Sequence, residues 1–322
     1  MALTIDDLFA SPDHYLHSFD GDAAVFMPMD RSAYHRSIFL DGRISPAADG
    51  EMVLPIASLP AAVPAPKPTA WIFHVAHCGS TLLARALDRP AANLVLREPL
   101  ALRQTAVFPD RRRFALATAM ISKRYKADLP TIVKANVPVN FLLPDLAAQD
   151  PQAGAIFLYL GLGDYLSAIL RSDNHRDWLR RVTSQLAPYL GDTSNLTDPE
   201  RAAMLWLAQL RAFAQALDGM PKGRALDAEL FFADPAPVLE ASGRCLGAPL
   251  SRDEAAAITA GSLFSTYSKN PDVAFDNEAR TRRKAELAHA LSGELDQARQ
   301  WLADNGADAA TILAKLEGAA LI

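Results

Sequence analysis

The sequence predicts an α/β fold in which a central parallel sheet is flanked by helices in three layers, with a small N-terminal appendage. Short apolar segments alternate with helical patterns, as they do in parallel sheets that are covered on both faces. Each apolar segment is bounded by Pro, Gly or Asp. A chain of 322 residues is also long enough to bury one substantial core.

The elements follow one another regularly along the chain. The predicted strands are short apolar segments at residues 71–75, 93–97, 131–135, 155–160 and 224–228. The predicted helices lie at residues 80–88, 111–126, 138–148, 163–190 and 198–217, and helices dominate from residue 235 onward. Strands that alternate with helices in this way indicate βαβ units.

Closely spaced prolines mark a boundary before the first of these strands. They stand at positions 55, 60, 64, 66 and 68, a spacing that disfavours helix and central strand and favours an extended tether. We therefore divide the chain into an appendage at 1–53, a proline-rich linker at 54–69 and an α/β domain at 70–322. The appendage is too short for a secure core of its own, so we expect it to pack on the domain.

Composition and charge narrow the class of function. Half of the residues are hydrophobic, 21% are charged and the net charge is −5, which gives no indication of a nucleic-acid partner or a membrane surface. Two cysteines do not make a disulfide framework, no apolar run could span a bilayer, and the first residues lack the pattern of a signal peptide. We expect a cytoplasmic protein without stable membrane insertion, and a homodimer stays open.

The segment HVAHCGSTLLARAL, residues 74 to 87, places a polar turn between the first predicted strand and helix. Its spacing resembles the phosphate-binding loop G-x-x-x-x-G-K-[ST], with His74 at the first glycine, Gly79 at the second and Thr81 at the hydroxyl position. Ser80 stands where that loop has lysine. Backbone N–H groups and two hydroxyls at a helix start favour an anion, although a capped helix after a tight turn has the same appearance.

Three further polar loops are expected at the same edge of the sheet. Ligands of open parallel sheets bind beyond the carboxyl ends of the strands. After the second, third and fourth predicted strands the chain contains Arg97-Glu98-Pro99, Lys134-Ala135-Asn136 and Gly161-Leu162-Gly163-Asp164. We expect these loops to converge with the Gly-Ser-Thr turn.

The segment FHVAHCGSTLLARAL is similar to the phosphosulfate-binding loop of sulfotransferases that use 3′-phosphoadenosine 5′-phosphosulfate (PAPS). GRALDAELFFADPAPVLEASGRCLGAPLS and AIFLYLGLGDYLSAILRS resemble later segments of that family, so the similarity spans residues 70 to 285. The chain resembles a divergent bacterial member with the family's P-loop-type fold. The resemblance implies transfer of a sulfuryl group from PAPS, without a metal, to a hydroxyl or amine of a small-molecule acceptor.

The resemblance also implies roles for particular residues. Asn136 stands where many members have a histidine base, so Glu98 becomes the candidate base, and Lys134 would stabilise the sulfuryl oxygens. We expect burial to raise the pKa of the Glu98 carboxyl. The residues implied in donor binding are His77, Cys78, Gly79, Ser80, Thr81, Ser167, Arg171 and Lys269.

Departures from the family pattern leave alternatives open. Leu160 or Gly161 stands where the family has an arginine for the 3′-phosphate. A phosphotransferase with a degenerate loop and a binding protein without catalysis therefore both remain. At the level of single residues, Glu98 could form a surface ion pair with Arg97, and Lys134 could be a solvated lysine at a strand end.

Overall fold

The computed structural model describes residues 4–322, except for the side chain of Pro271. Its strands, in chain order, are β1 His14–Asp20, β2 Ala23–Pro28, β3 Met52–Pro55, β4 Thr69–His74, β5 Val95–Arg97, β6 Thr131–Lys134, β7 Ala155–Tyr159, β8 Gly223–Asp227, β9 Thr266–Tyr267 and β10 Asn270–Ala274.

The helices connect these strands and form most of the chain after β8. They are α1 Ile5–Ala10, α2 Arg31–Arg36, α3 Ser80–Ala86, α4 Leu100–Val107, α5 Arg111–Ile121, α6 Leu143–Gln149, α7 Leu162–Leu170, α8 Asp173–Gln185, α9 Ala187–Leu190, α10 Asp198–Gly219, α11 Ala228–Ala233, α12 Pro235–Cys245, α13 Arg252–Thr259, α14 Asn277–Ala290, α15 Ser292–Asn305 and α16 Ala309–Gly318.

The predicted α/β class is confirmed. Five parallel strands form the central sheet in the order β5-β6-β4-β7-β8, and α3, α10, α12 and α16 are among the helices that pack against it. Every strand residue of β4 and β7 is buried, as expected for parallel strands that are covered on both faces. The five predicted strands agree with the observed ones to within two residues at either end.

Three predicted helices differ from the observed elements, and the one predicted at 111–126 already ends at Ile121. The pattern at 163–190 is divided among α7, α8 and α9, because Ser172 has an extended backbone and Pro188 opens a new turn. The pattern at 138–148 begins as the 3₁₀ helix Val137–Leu142. The antiparallel pair β9 and β10 was not predicted, because it lies where helices were expected.

The N-terminal residues form a small antiparallel sheet in the order β1-β2-β3. Strand β3 ends at Pro55 and a 3₁₀ turn follows at Ile56–Ser58, so the start of the predicted linker is regular structure and not an extended tether. Among residues 4–322, strand β3 pairs with β2 alone and so lies at the edge of the sheet, and an edge strand tolerates proline.

Buried polar contacts join this small sheet and helix α2 to the rest of the molecule. Asp88, just after α3, accepts hydrogen bonds from Arg31 and from Arg97, the latter at 2.7 Å. The Lys123 ammonium donates to the carbonyl oxygens of Leu8 and His14 at 3.0 and 2.5 Å. One contiguous apolar core extends from the N-terminal sheet to α16.

The order of the strands places a crevice at the centre of the sheet. The chain leaves β4 towards β5 on one side and leaves β7 towards β8 on the other, and such a switch of direction opens the sheet edge for a ligand. Asn140 donates to the carbonyl of His74, and the Trp206 indole donates to the carbonyl of Leu160, at 3.0 and 2.9 Å. The backbone on both sides of the crevice is therefore fixed by buried side chains.

Among residues 4–322, no helix combines the length and apolarity that crossing a membrane requires.

Candidate functional site

Two adjacent cavities occupy this crevice. The loop cavity, of about 420 Å³, lies between residues 79–82, α7, the β9–β10 hairpin and α14. The α8 cavity, of about 550 Å³, lies between Glu98, residues 136–138 and α8. His77 and Lys269 line both cavities, so they mark the junction between them.

The Gly-Ser-Thr turn closes one side of the loop cavity. Gly79 has φ +80°, and a Cβ at this position would lie 2.7 Å from Cζ of Phe232, so both the backbone and the neighbouring ring require glycine. In the described chain, the backbone N–H groups of His77, Gly79 and Thr81 have no backbone acceptor. Helix α3 has only seven residues, so these N–H groups, more than a helix dipole, offer the turn to an anion.

The hydroxyl side chains of the turn differ from the thiol in their surroundings. Ser80 and Thr81 line the loop cavity, and the buried Oγ1 of Thr81 has no hydrogen-bond partner within residues 4–322. The Cys78 thiol instead points into the core and donates to the Val75 carbonyl at 2.8 Å. Burial raises the pKa of Cys78 to about 11. Cys78 can therefore contribute to anion binding only through its backbone.

The loop cavity contains cations without carboxylate partners. Arg280 and Lys284 are paired with Glu229, whereas Arg171, Arg283 and Lys269 form no ion pair with any carboxylate in the part of the chain that the structure describes. Burial, followed by the nearby charge of Arg283, lowers the pKa of Arg171. Burial, followed by the charge of Lys134, lowers the pKa of Lys269. Like charges held together in this way favour a bound anion.

Two of the residues that the resemblance implied in donor binding, Ser167 and Arg171, lie on the wall of this cavity. Ser167 and Arg171 both line it, one helical turn apart, and Arg283 lines it from α14. Of the basic residues near the C-terminus, Lys269 and Arg283 contribute unpaired charge, while Arg282 lies outside both cavities. In the sequence Arg283 is one of three nearby arginines, and nothing local indicates which of the three faces a ligand.

Aromatic rings form another part of the loop cavity, which the sequence analysis missed. Phe232, Phe275 and Tyr267 all line it. The ring of Phe275 lies 6.2 Å from that of Phe232 and 5.4 Å from that of Tyr267, between centroids, and the Arg280 guanidinium stands 4.1 Å over Phe232. Aromatic side chains of this kind provide a surface on which a nucleotide base can stack.

Glu98 and Lys134 form a close ion pair at the α8 cavity. The Lys134 side chain is 1% exposed and that of Glu98 is 18% exposed, so Lys134 is not a solvated lysine. Glu98 does not pair with Arg97, because Arg97 is buried on the other side and pairs with Asp88. Glu98 lines only the α8 cavity.

The pKa of Glu98 shifts in the direction opposite to our expectation. Burial by itself raises it, but the charges of Lys134 and His74 and the hydrogen bond from Lys134 outweigh burial and bring it down to about 2. The expectation of a raised pKa was therefore wrong, because it considered desolvation without the lysine. Glu98 is a carboxylate at every ordinary pH.

The backbone is strained at two positions of the site. His77 and Glu98, with φ of 62° and 57°, are the non-glycine residues of positive φ that occur within residues 4–322. Both line the α8 cavity. A left-handed conformation costs about 1–2 kcal/mol for such residues, and strain of this kind is concentrated at functional sites.

Two histidines lie side by side where the cavities meet. The rings of His77 and His175 are 4.6 Å apart between centroids. Arg171 donates to Nε2 of His175 at 2.7 Å, so its Nδ1 carries the proton and donates to the Ser172 hydroxyl. Burial, then the charges of Arg171 and Lys269, lower the pKa of His175 to about 4. His175 is therefore neutral and its lone pair is already engaged.

Asn136 and His74 complete the wall of the α8 cavity near Glu98. Asn136 is 7% exposed and its Oδ1 has no hydrogen-bond partner in the described chain. His74 lies between the carbonyls of Val75 and Ala135, each 2.8 Å from a ring nitrogen. No group of three or more His, Cys, Asp or Glu within residues 4–322 is arranged to hold a metal ion.

Comparison with known proteins gave similarity to solved structures only. No family model matches the chain, and no curated protein matches it. A sulfotransferase from Alicyclobacillus acidocaldarius is similar over 72% of this chain and 95% of its own, with TM-score 0.41 and 14% identity. The sulfotransferase domain from the curacin biosynthetic pathway is similar over 70% of this chain and 98% of its own, with TM-score 0.41 and 13% identity. Similarity at this level does not determine activity, donor or acceptor, which have to be inferred from this chain's own residues.

Proposed function

We propose that this protein is a sulfotransferase that binds PAPS in the loop cavity and an acceptor hydroxyl or amine in the α8 cavity. The observation that carries the proposal is the junction at His77 and Lys269, where a cavity with unpaired cations meets a cavity that holds a strained carboxylate. Transfer between two bound molecules requires two sites that touch in this manner.

The residues of the loop cavity suit a donor with two separated anionic groups and a flat base. The turn at 77–81, with the unpartnered Thr81 hydroxyl, would hold the phosphosulfate. Ser167, Arg171 and Arg283 would hold the 3′-phosphate. The rings of Phe232, Phe275 and Tyr267 would support the adenine.

On the acceptor side, the chain's own residues supply a base and positive charge. PAPS provides an activated sulfuryl group, whose bond to the phosphate oxygen breaks as the acceptor oxygen or nitrogen bonds to sulfur. The Glu98 carboxylate would accept the acceptor's proton, and Lys134 and Lys269 would stabilise charge on the sulfuryl oxygens. A depressed pKa makes Glu98 a weak base in the free protein, so the proposal requires Lys134 to turn towards the sulfuryl group when both ligands are bound.

One observation favours a second candidate, a phosphotransferase. Ser80 occupies the lysine position of a nucleotide-binding loop, but Lys269 reaches the same cavity from the β9–β10 hairpin. A lysine supplied from elsewhere could serve a triphosphate. The two candidates differ in the nucleotide that they require.

Calorimetric titration with 3′-phosphoadenosine 5′-phosphate (PAP), and separately with ATP plus magnesium, distinguishes them. For a sulfotransferase we expect PAP to bind with a Kd in the micromolar range or below, and ATP with magnesium to bind at least about tenfold more weakly. Tighter binding of ATP with magnesium would move the function to phosphoryl transfer. Binding of neither nucleotide would overturn both candidates.

A further inference from the structure

Helix α8 presents one side to the α8 cavity. Asn174, Trp178, Arg181 and Gln185 lie along that side at intervals of three or four residues, and all of them line the cavity. Residues at these intervals share a helix face. The acceptor cavity thus has a wall of amides, one indole and one guanidinium, running from the junction at His175 to the far end at Gln185.

The far end of this wall carries positive charge without a matching carboxylate. Arg103 enters from α4 and donates to the Gln185 amide oxygen at 3.2 Å. Neither Arg103 nor Arg181 forms an ion pair with a carboxylate of residues 4–322, although Arg43 in the same cavity is paired with Asp41. The carboxylates that line the cavity, Asp41 and Glu98, are therefore both engaged by other cations.

The two ends of the α8 cavity therefore carry different charged groups. Near the junction the cavity is lined by the Glu98 carboxylate, which is paired with Lys134. At the far end two guanidiniums, which match carboxylate and phosphate oxygens, are available. Gln185 accepts from Arg103 and lies one turn after Arg181, which places the two arginines at the same end of the cavity.

We infer that the acceptor is a small hydroxylated molecule that carries a carboxylate or phosphate group, bound by Arg103 and Arg181. This inference rests on the proposed function for the identity of the reaction. The hydroxyl lies at Glu98, the negative group lies at the arginines, and the body of the molecule lies along Trp178. Charge at the far end orients the acceptor, and the sulfated product then carries one more negative charge than the substrate.

Matched pairs of probes test the charge requirement. One arm compares 4-hydroxyphenylacetate with 4-hydroxyphenylacetamide, and the other compares glucose 6-phosphate with glucose; each Kd is measured by calorimetry, with and without saturating PAP. We expect the charged member of at least one pair to bind about tenfold or more tightly than its neutral partner, because a charge-assisted hydrogen bond is lost in the neutral one. The arm that shows this preference distinguishes a carboxylate from a phosphate.

Substitutions of Arg103 and Arg181 test whether these two arginines cause the preference for the charged probe. In Arg103→Gln and Arg181→Gln the preference should fall by about tenfold, while the Kd for PAP stays within about twofold of wild type. Arg252→Gln is the control, since Arg252 is exposed on α13 and lines neither cavity. If neither charged probe binds more tightly than its neutral partner, or if both variants keep the preference, the inference is wrong.

The Kd for PAP keeps this test separate from that of the proposed function. Normal PAP binding without any charge preference would overturn the acceptor class alone. A charge preference without PAP binding would leave the anion site in place and overturn the sulfotransferase.

Discussion

At the scale of single residues, the proposed catalysis rests on Glu98. It stands in a left-handed backbone conformation, forms an ion pair with the buried Lys134 and faces only the α8 cavity. A strained, half-buried carboxylate lowers stability unless its partner offsets the cost.

We expect Glu98→Gln to lower turnover by about 10²–10⁴-fold, the usual contribution of a general base, with an unchanged Kd for PAP. Because the pKa of Glu98 lies at about 2, this carboxylate does not titrate between pH 5 and 9, and it should give no rising limb in the wild-type pH profile there. The check is kcat as a function of pH for both proteins. Wild-type turnover in the variant would transfer the role of base to His77.

The same substitution has an effect on stability whose sign follows from the pKa. A depressed carboxyl pKa stabilises the fold above the unfolded value and loses that contribution as pH falls through the folded value. The difference in unfolding free energy between wild type and Glu98→Gln should therefore be constant above about pH 5 and shrink between pH 4.5 and 2. Denaturant unfolding at several pH values measures it, and a difference that grows towards low pH would contradict the ion pair.

At Thr81 we expect a single substitution to affect stability and PAP binding differently. The buried hydroxyl of Thr81 has no hydrogen-bond partner among residues 4–322, and a buried unsatisfied polar group costs about 1–3 kcal/mol. We expect Thr81→Val to keep or raise the unfolding free energy, by up to about 1 kcal/mol, and to weaken PAP binding about tenfold or more, since a hydroxyl bonded to a charged group contributes about 1.5–3 kcal/mol.

Thr183 provides a matched control for this substitution. It is also a buried helical threonine, but its hydroxyl donates to the Leu179 carbonyl at 2.8 Å. Thr183→Val should therefore lower the unfolding free energy by about 1 kcal/mol and leave PAP binding unchanged. If the two valine variants behaved alike in both measurements, the Thr81 hydroxyl would have no role in anion binding.

At the scale of elements, α7 and α14 bring positive charge to the loop cavity. Arg171 ends α7 and Arg283 lies on α14, and the two helices pack against each other. Their charges lie close enough for Arg283 to lower the pKa of Arg171. Two elements distant in sequence thus supply the positive charge that a 3′-phosphate would need.

We expect Arg171→Gln and Arg283→Gln each to weaken PAP binding by about tenfold, and to leave the binding of adenosine 5′-monophosphate within about twofold, because only PAP carries a 3′-phosphate. Arg282→Gln is the control on the same helix, since Arg282 is exposed and lines neither cavity. Equal losses for both nucleotides would place these arginines at another part of the donor.

At the scale of the whole molecule, the buried charges around Asp88 join the N-terminal residues to the central sheet. Asp88 and Arg97 are each 1% exposed, and Arg31 and His35 reach Asp88 from α2. Burial raises the pKa of Asp88, but the contacts with His35, Arg97 and Arg31 outweigh it and lower that pKa. The site depends on this network indirectly, because Arg97 immediately precedes Glu98.

We expect Asp88→Asn to lower the unfolding free energy by about 3–5 kcal/mol, since removing one partner leaves a buried arginine charge without compensation. Asp308→Asn is the control: Asp308 pairs with Arg211 on the surface, with both side chains about half exposed, and should change stability by less than about 1 kcal/mol. Denaturant unfolding measures both. Equal effects of the two substitutions would mean that burial of the Asp88 network contributes nothing.

The sequence by itself determined the framework of this protein. Apolar segments such as 71–75 and 155–160 have the length and boundaries of buried parallel strands, and this information is local, so the strands and the shared edge of their following loops could be predicted. The same local information predicted the Gly-Ser-Thr turn, Glu98 and Lys134 as neighbours at that edge; the turn and Glu98 line two adjoining cavities, and Lys134 is the ion-pair partner of Glu98.

Only the tertiary structure decided which charges are paired and which are left over. Arg97 and Glu98 are adjacent in sequence, yet successive residues at a strand end point to opposite sides, so one pairs with Asp88 and the other with Lys134. Arg171 lies far from Lys269 and Arg283 in the chain, and the three form a charged wall only after folding. The pKa of a group depends on every charge packed around it, and so does the presence of a carboxylate partner for a cation. Those charges come from residues distant in sequence, so they leave no local pattern in it.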